Sequence, residues 1–236
     1  MSQLQSMLKW EFTLMYRYKL IHLAILSVVM YFVSLQIMPD INEPEFHSLF
    51  LFFDPVLIGI MFVGAMVLFE KTENTLQALT ITPMQTYNYF LSKIIALTSL
   101  SLVAGLLFII PLMITDGIDP NWLYLFIGLT LSAVVLILIG FLMVSRCNSI
   151  NEYLLMMMFV FILLFFPPLF DLFGFYENTI FYLWPSHASF ILFGGVFGEV
   201  STNDTIYAIL YLIFWIGLCL YLSKRAFYKH IVLGGK

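Results

Sequence analysis

The sequence predicts an all-α membrane protein with six transmembrane helices, an amphipathic N-terminal interfacial helix, and an outer re-entrant helical hairpin between helices five and six. Three observations carry that prediction. Of 236 residues, 62% are hydrophobic and 10% charged, where a soluble domain has about 45–50% and about 25%; the mean hydropathy is +0.99. Apolar segments recur at about 17–25 residues, the length that crosses about 30 Å of hydrocarbon at about 1.5 Å per residue. The few charges are sorted by sign along the chain. Ten basic and fourteen acidic side chains cannot coat a soluble surface of this size. The composition therefore excludes a secreted disulfide scaffold, a nucleic-acid binder with a basic face, and a cytoplasmic enzyme.

Residues 1–19 form the interfacial helix. On a helical wheel Leu4, Met7, Leu8, Phe12, Leu14 and Met15 share one face, and Gln5, Ser6, Lys9, Thr13 and Arg17 occupy the other. Glu11 falls within the apolar arc, which fits either a snorkelling carboxylate or a specific pairing with a basic residue or a partner subunit. The first span, 20–38, is too long for a secretory h-region and lacks a small-residue cleavage site, so it reads as an anchor that stays. The remaining spans are 48–69, interrupted at Asp54, then 94–115, 122–144, 153–170 and 205–223.

Residues 179–198 are apolar enough to be a seventh span, and charge decides against it. With six spans and both termini cytoplasmic, Lys9, Arg17, Lys19, Lys71, Lys93, Arg146, Lys224, Arg225, Lys229 and Lys236 all fall inside. Random placement of ten basic residues gives that result about once in a thousand, so the bias is the positive-inside rule. Asp40, Glu43, Glu45, Asp116, Asp119, Asp171, Glu177, Glu199 and Asp204 fall outside. A seventh span would carry the last four basic residues outward. Residues 178–200 are therefore read as the outer hairpin, broken at Pro185 and weakened by Gly194, Gly195 and Gly198, with Tyr182 and Trp184 suited to the headgroup region. Non-helical backbone at that depth requires covering protein or a water-filled cavity, hence a partner surface or a pathway.

The longest extramembrane stretch is the cytoplasmic loop 70–93. Glu70, Lys71 and Glu73 continue the second span beyond the membrane, and a short helix after Thr75 places Leu76 and Leu79 on one side. Pro83 stops that helix. Thr86 can cap the next, which carries Tyr87, Phe90 and Leu91 toward Lys93. The result is a transverse helix held between two spans, open to a partner or to headgroups; a simple connector has the same spacing.

The run Glu70-Lys71-Thr72-Glu73-Asn74-Thr75-Leu76-Gln77-Ala78-Leu79-Thr80-Ile81-Thr82-Pro83-Met84, followed by Tyr89-Phe90-Leu91-Ser92-Lys93, resembles the first cytoplasmic loop of type-2 ABC (ATP-binding cassette) exporter permeases. That loop has an acidic-basic-acidic cluster, a Thr-Leu-Glu/Gln-x-Leu core, Thr/Ser-Pro-Leu or Met, and a Lys opening the third span. Asn74 stands where Gly is common, and Asn tolerates the left-handed turn. Ser149-Ile150-Asn151-Glu152-Tyr153 and Leu183-Trp184-Pro185-Ser186-His187 are similar to a branch of small drug-export permeases, fluoroquinolone-type exporters among them. The resemblance implies a plasma-membrane permease that moves an amphiphilic or hydrophobic substrate outward. Its partners would be ABC ATPase subunits, a second permease copy (the same chain or a related one) and membrane lipid, with no nucleic acid. The loop would be the coupling helix seated in the ATPase, with Glu11, Glu70, Lys71, Glu73 and Thr75 as polar contacts, Leu76 and Leu79 as anchors and Pro83 as its end. No cofactor or metal is expected in this chain; ATP and Mg would sit on the ATPase.

The remaining features are read from the residues. No G-x-x-x-x-G-K-[ST], H-E-x-x-H or G-x-S-x-G occurs, so ATP hydrolysis is expected in another polypeptide and no catalytic role in this one. Ser186 and His187 are adjacent, but neighbouring helical side chains point about 100° apart. Cys147 and Cys219 belong to no metal or redox spacing and read as apolar fillers. Asp54-Pro55 reads as a helix N-cap with proline at the first helical position, or as an intramembrane acid facing a pathway. Pro167-Pro168 either ends the fifth span or opens a vestibule, and Pro185 and His187 join them as outer-gate candidates. An ion-coupled carrier or channel, or a membrane-embedded enzyme or assembly factor, are the alternative functions.

Overall fold

The computed structural model describes residues 3–37, 44–73, 86–175 and 178–229, and among them every regular element is helical. Helix α1 (Gln3–Arg17) and helix α2 (Leu20–Ile37) meet at a 58° corner. Lys19 makes the corner in the left-handed conformation, at φ 58°. The buried face of α1 is centred on Glu11, Leu14 and Met15. Phe12, predicted on that face, is 44% exposed beside Trp10 and Tyr16, because the helix has rolled to bring Glu11 inward.

The second helical run comprises α3 (Pro44–Leu51), a π turn (Phe52–Val56) and α4 (Leu57–Thr72). Pro55 lies inside the π turn, and Val56 precedes α4 in helical conformation with no side-chain cap. The expected helix start at Asp54-Pro55 is thus corrected: helix lies on both sides, and the widened turn absorbs the amide that proline lacks. Phe52 in this turn is buried against Phe165, Phe190 and Phe193.

Helix α5 (Thr86–Thr115) is one unbroken element of 30 residues, so Lys93 lies two turns inside it rather than at its opening. Helix α6 (Trp122–Val144), capped by Asn121, is the central element and packs against α4, α5 and the last two helices of the chain. The α4–α6 contact is close enough to need glycine. A Cβ at Gly140 would stand 2.4 Å from Val63 Cγ1 on α4 and 3.1 Å from the hydroxyl of Tyr153, and one at Gly64 would stand 2.1 Å from the Tyr153 ring. That hydroxyl donates to the Ile60 carbonyl.

Helices α7 (Ile150–Leu164) and α8 (Phe166–Leu172) are separated by a break at Phe165. Pro167 and Pro168 sit in the first turn of α8, where a proline amide has no partner within its own helix to lose. A 3-10 turn (Thr179–Leu183) leads into α9 (Pro185–Phe197), and α10 (Thr202–Phe227) completes the chain. Helix α9 runs through Gly194 and Gly195 to Phe197, against the predicted weakening there. Gly195 instead admits the Tyr124 ring, 2.5 Å from where a Cβ would be.

Four described helical stretches are long and apolar enough to cross a membrane: Tyr87–Thr115, Trp122–Val144, Ile150–Leu172 and Thr202–Phe227; counting the bent α1–α2 pair gives five. The Trp122–Val144 stretch is 67% buried over its apolar window, whereas the Ile150–Leu172 and Thr202–Phe227 windows are 17% buried. Leu155, Phe159, Leu163, Leu210 and Phe214 accordingly form an exposed apolar belt.

Candidate functional site

Three elements converge on one cation. Glu11 comes from α1, Glu70 from the last turns of α4, and Lys93 from α5. Lys93 Nζ donates to Glu11 Oε2 at 2.9 Å and to Glu70 Oε1 at 2.6 Å. Tyr89, one turn earlier on α5, donates its hydroxyl to Glu70 Oε2 at 2.6 Å. Lys93 is fully buried, Glu11 is 2% exposed and Glu70 3%. Burying such ions costs several kcal/mol each, which only close pairing repays.

With both carboxylates ionised the triad carries one excess negative charge. Burial pushes the Glu11 carboxyl above its ordinary value, the Lys93 ammonium pulls it back, and the Glu70 charge adds to the rise. The side chains around the triad fasten the same end of the bundle. Lys71 donates to the Cys147 carbonyl at 3.1 Å and to Asn148 Oδ1 at 2.8 Å in the α6–α7 turn. Tyr18, at the α1–α2 corner, donates to Glu73 Oε1 at 3.2 Å.

This geometry revises the expected coupling surface. Glu11 and Glu70 face inward, where Lys93 pairs with both; Glu73 is exposed, and Lys71 is half-buried and fastened to a neighbouring turn. Of the two readings of Glu11, the structure selects specific pairing with a basic residue. Thr75, Leu76, Leu79 and Pro83 lie outside the described residues, as does the side chain of Asp54. Lys93 was not singled out as a site residue from sequence. Its signal was there: an acid in the apolar arc of α1 and a lysine among apolar residues of α5 each need a buried counter-charge.

The outer candidates also come together. In an unbroken helix the amides of residues 167 and 168 would bond the carbonyls of Leu163 and Leu164. Both residues are proline, so both carbonyls lose their donors. Trp184 and Ser186, at the start of α9, supply the replacements: Trp184 Nε1 donates to the Leu163 carbonyl at 2.8 Å and Ser186 Oγ donates to that of Leu164. Pro185 occupies the first helical position between them. His187 Nε2 stands 2.7 Å from Asp171 Oδ2 on α8, so Ser186 and His187 serve separate partners. Elsewhere an apolar groove of ≈ 560 Å³ lies between α2 and the π turn, walled by Leu23, Leu26, Met30, Tyr31, Phe50 and Phe53.

A model of the Fluoroquinolones export permease protein family matches residues 2–234. Two proteins of Mycobacterium tuberculosis, each called a Fluoroquinolones export permease protein, come from strains CDC 1551 / Oshkosh and ATCC 25618 / H37Rv. Each is 29% identical to this chain over 235 residues, which cover 98% of this chain and 98% of the relative.

Proposed function

The chain belongs to the fluoroquinolones export permease protein family, and from that membership we propose that it is the membrane-spanning permease subunit of an ATP-binding cassette exporter. Its substrate is an amphiphilic or hydrophobic molecule, a drug of the fluoroquinolone type before a lipid or peptide, in keeping with the names of the two relatives. The subunit works in the plasma membrane, paired with a second permease copy and two separate ATPase subunits that hold ATP and Mg. Both termini are cytoplasmic. Six spans follow if α2 and the α3–π–α4 run each cross the membrane, with the 3-10 turn and α9 as the outer re-entrant hairpin.

The buried Glu11–Lys93–Glu70 triad is the observation that carries this reading. Loop 74–85 is rooted in α4 on one side and α5 on the other, and the triad ties both roots to α1. A push on the loop from a closing ATPase dimer therefore reaches three helices as one body, and alternating access needs such a rigid transmission. Leu76 and Leu79 are the proposed anchors in the ATPase, with Thr75 and Glu73 as polar contacts and Pro83 as the end of the coupling helix. The α2 groove supplies an apolar wall suited to an amphiphile.

The test is co-purification with the cognate ATPase, followed by drug-stimulated ATP hydrolysis in proteoliposomes. Leu76→Asp is expected to release the ATPase and abolish the stimulation. Drug efflux driven by an ion gradient without ATP, with no ATPase bound, would overturn the proposal in favour of a secondary carrier.

A further inference from the structure

A polar cavity of ≈ 660 Å³ opens beside α8 and the 3-10 turn, lined by Asp171, Asn178, Thr179 and Tyr182. Its walls are held from behind. Asp171 Oδ2 accepts from His187 Nε2 at 2.7 Å, and the His187 ring lies 4.6 Å from that of Tyr182. The Tyr182 ring is flanked in turn by Tyr207 at 5.0 Å, and its hydroxyl donates to Asp204 Oδ1 at 3.2 Å. Burial, and then the Asp204 carboxylate, push the Tyr182 phenol above its ordinary value, so it stays protonated and keeps donating.

Among the described residues, no Lys or Arg forms an ion pair with Asp171 or Asp204. Residues 147–223 contain no Lys or Arg. His187 is 5% exposed, and its Nδ1 has no partner among the described residues. Asp171 leaves 28% of its side chain exposed, and Asp204 accepts from the Tyr182 hydroxyl.

We infer that this cavity binds the protonated amine of an amphiphilic substrate, with Asp171 as the ion-pair partner and the Tyr182 ring as an aromatic wall. A cation here gains a charge-assisted hydrogen bond and the face of an electron-rich ring. The volume lies within the range of about 300–1,000 Å³ that holds drug-sized ligands. On the exporter reading, on which the inference rests, the cavity is on the exit side and favours cationic over anionic cargo.

The experiment measures binding to the purified full chain in nanodiscs by quenching of tryptophan fluorescence. The probes are norfloxacin, whose piperazine carries a basic amine, and its N-acetyl derivative, whose piperazine does not. Wild type is expected to bind norfloxacin more tightly, and Asp171→Asn to lose about ten- to hundredfold in norfloxacin affinity with the acetylated probe unchanged, as removal of one charge-assisted hydrogen bond requires. Equal affinities for the two probes in wild type, or an unchanged norfloxacin affinity in Asp171→Asn, would overturn the site. If Asp171→Asn does not fold, Tyr182→Leu decides: retained amine selectivity there counts against the site, and its loss supports it. Amine selectivity without ATPase binding would overturn the exporter reading alone, while ATPase binding without amine selectivity would overturn the site alone.

Discussion

Replacing Lys93 by Met keeps the length of the side chain and removes the only cation facing Glu11 and Glu70 among the described residues. Two charge-assisted hydrogen bonds are lost, at 2.9 and 2.6 Å, and each such bond contributes about 1.5–3 kcal/mol. Tyr89 still serves Glu70, but Glu11 keeps no cation among the described residues, and its carboxyl must take up a proton to remain buried. Removing one partner of a buried ion cluster costs about 3–5 kcal/mol, whereas replacing the whole cluster by neutral groups is often neutral or stabilising. We therefore expect Lys93→Met to destabilise by about 3–5 kcal/mol, and Lys93→Met/Glu11→Gln/Glu70→Gln to recover most of that loss. For a chain of this size each kcal/mol moves Tm by about 2–4 °C, so the single variant should melt on the order of 10 °C lower in detergent. The assay is thermal unfolding of the purified variants. A single variant that melts with wild type, or a triple variant no better than the single, would refute the clamp.

Two further outcomes are expected. Trp184→Phe removes the donor to the Leu163 carbonyl and should cost about 1–3 kcal/mol of stability, read as a lower Tm. In a Pro167→Ala background, where the helix amide returns, the same substitution should cost less than half as much; equal costs in both backgrounds would sink the replacement-donor account. The second concerns pH. The folded-state pKa of Glu11 is raised above its ordinary value of 4.5, so the native protein binds this proton before the unfolded chain does. Stability relative to Glu11→Gln should therefore rise as pH falls through the folded value and level off below about 4.5. A difference that stays flat from neutral to pH 4, or grows with rising pH, rules this out.

Much of the architecture could be read from the residues because lipid leaves few solutions. Helix α6 covers the same residues as the apolar run 122–144, since Asn121 caps it and Arg146 sets where the run must stop. The roll of α1 was not legible. A helical wheel ranks Phe12 above Glu11 as a buried residue, and only the presence of Lys93, 82 residues away, reverses that order. The π turn at 52–56 was hidden for a related reason. Asp-Pro is a good local signal for a helix start, yet packing of Phe52 among three distant phenylalanines holds the chain helical through it. At the outer candidates Pro167, Pro168, Pro185 and His187 were each visible as punctuation. What they share, two carbonyls that need donors from another segment, exists only once the end of α7 meets the start of α9.

That arrangement also sets an order of assembly. When α7 and α8 enter the bilayer, the carbonyls of Leu163 and Leu164 lack amide donors, and in hydrocarbon each such group carries a penalty of several kcal/mol. Relief is encoded about twenty residues downstream, in a segment the ribosome has yet to deliver. Until Trp184 and Ser186 dock, the break in the helix is held open to whatever water or lipid headgroup can serve it. The two prolines thus leave the half-made protein with a polar notch, and its own next segment, through Trp184 and Ser186, carries the donors that fit it.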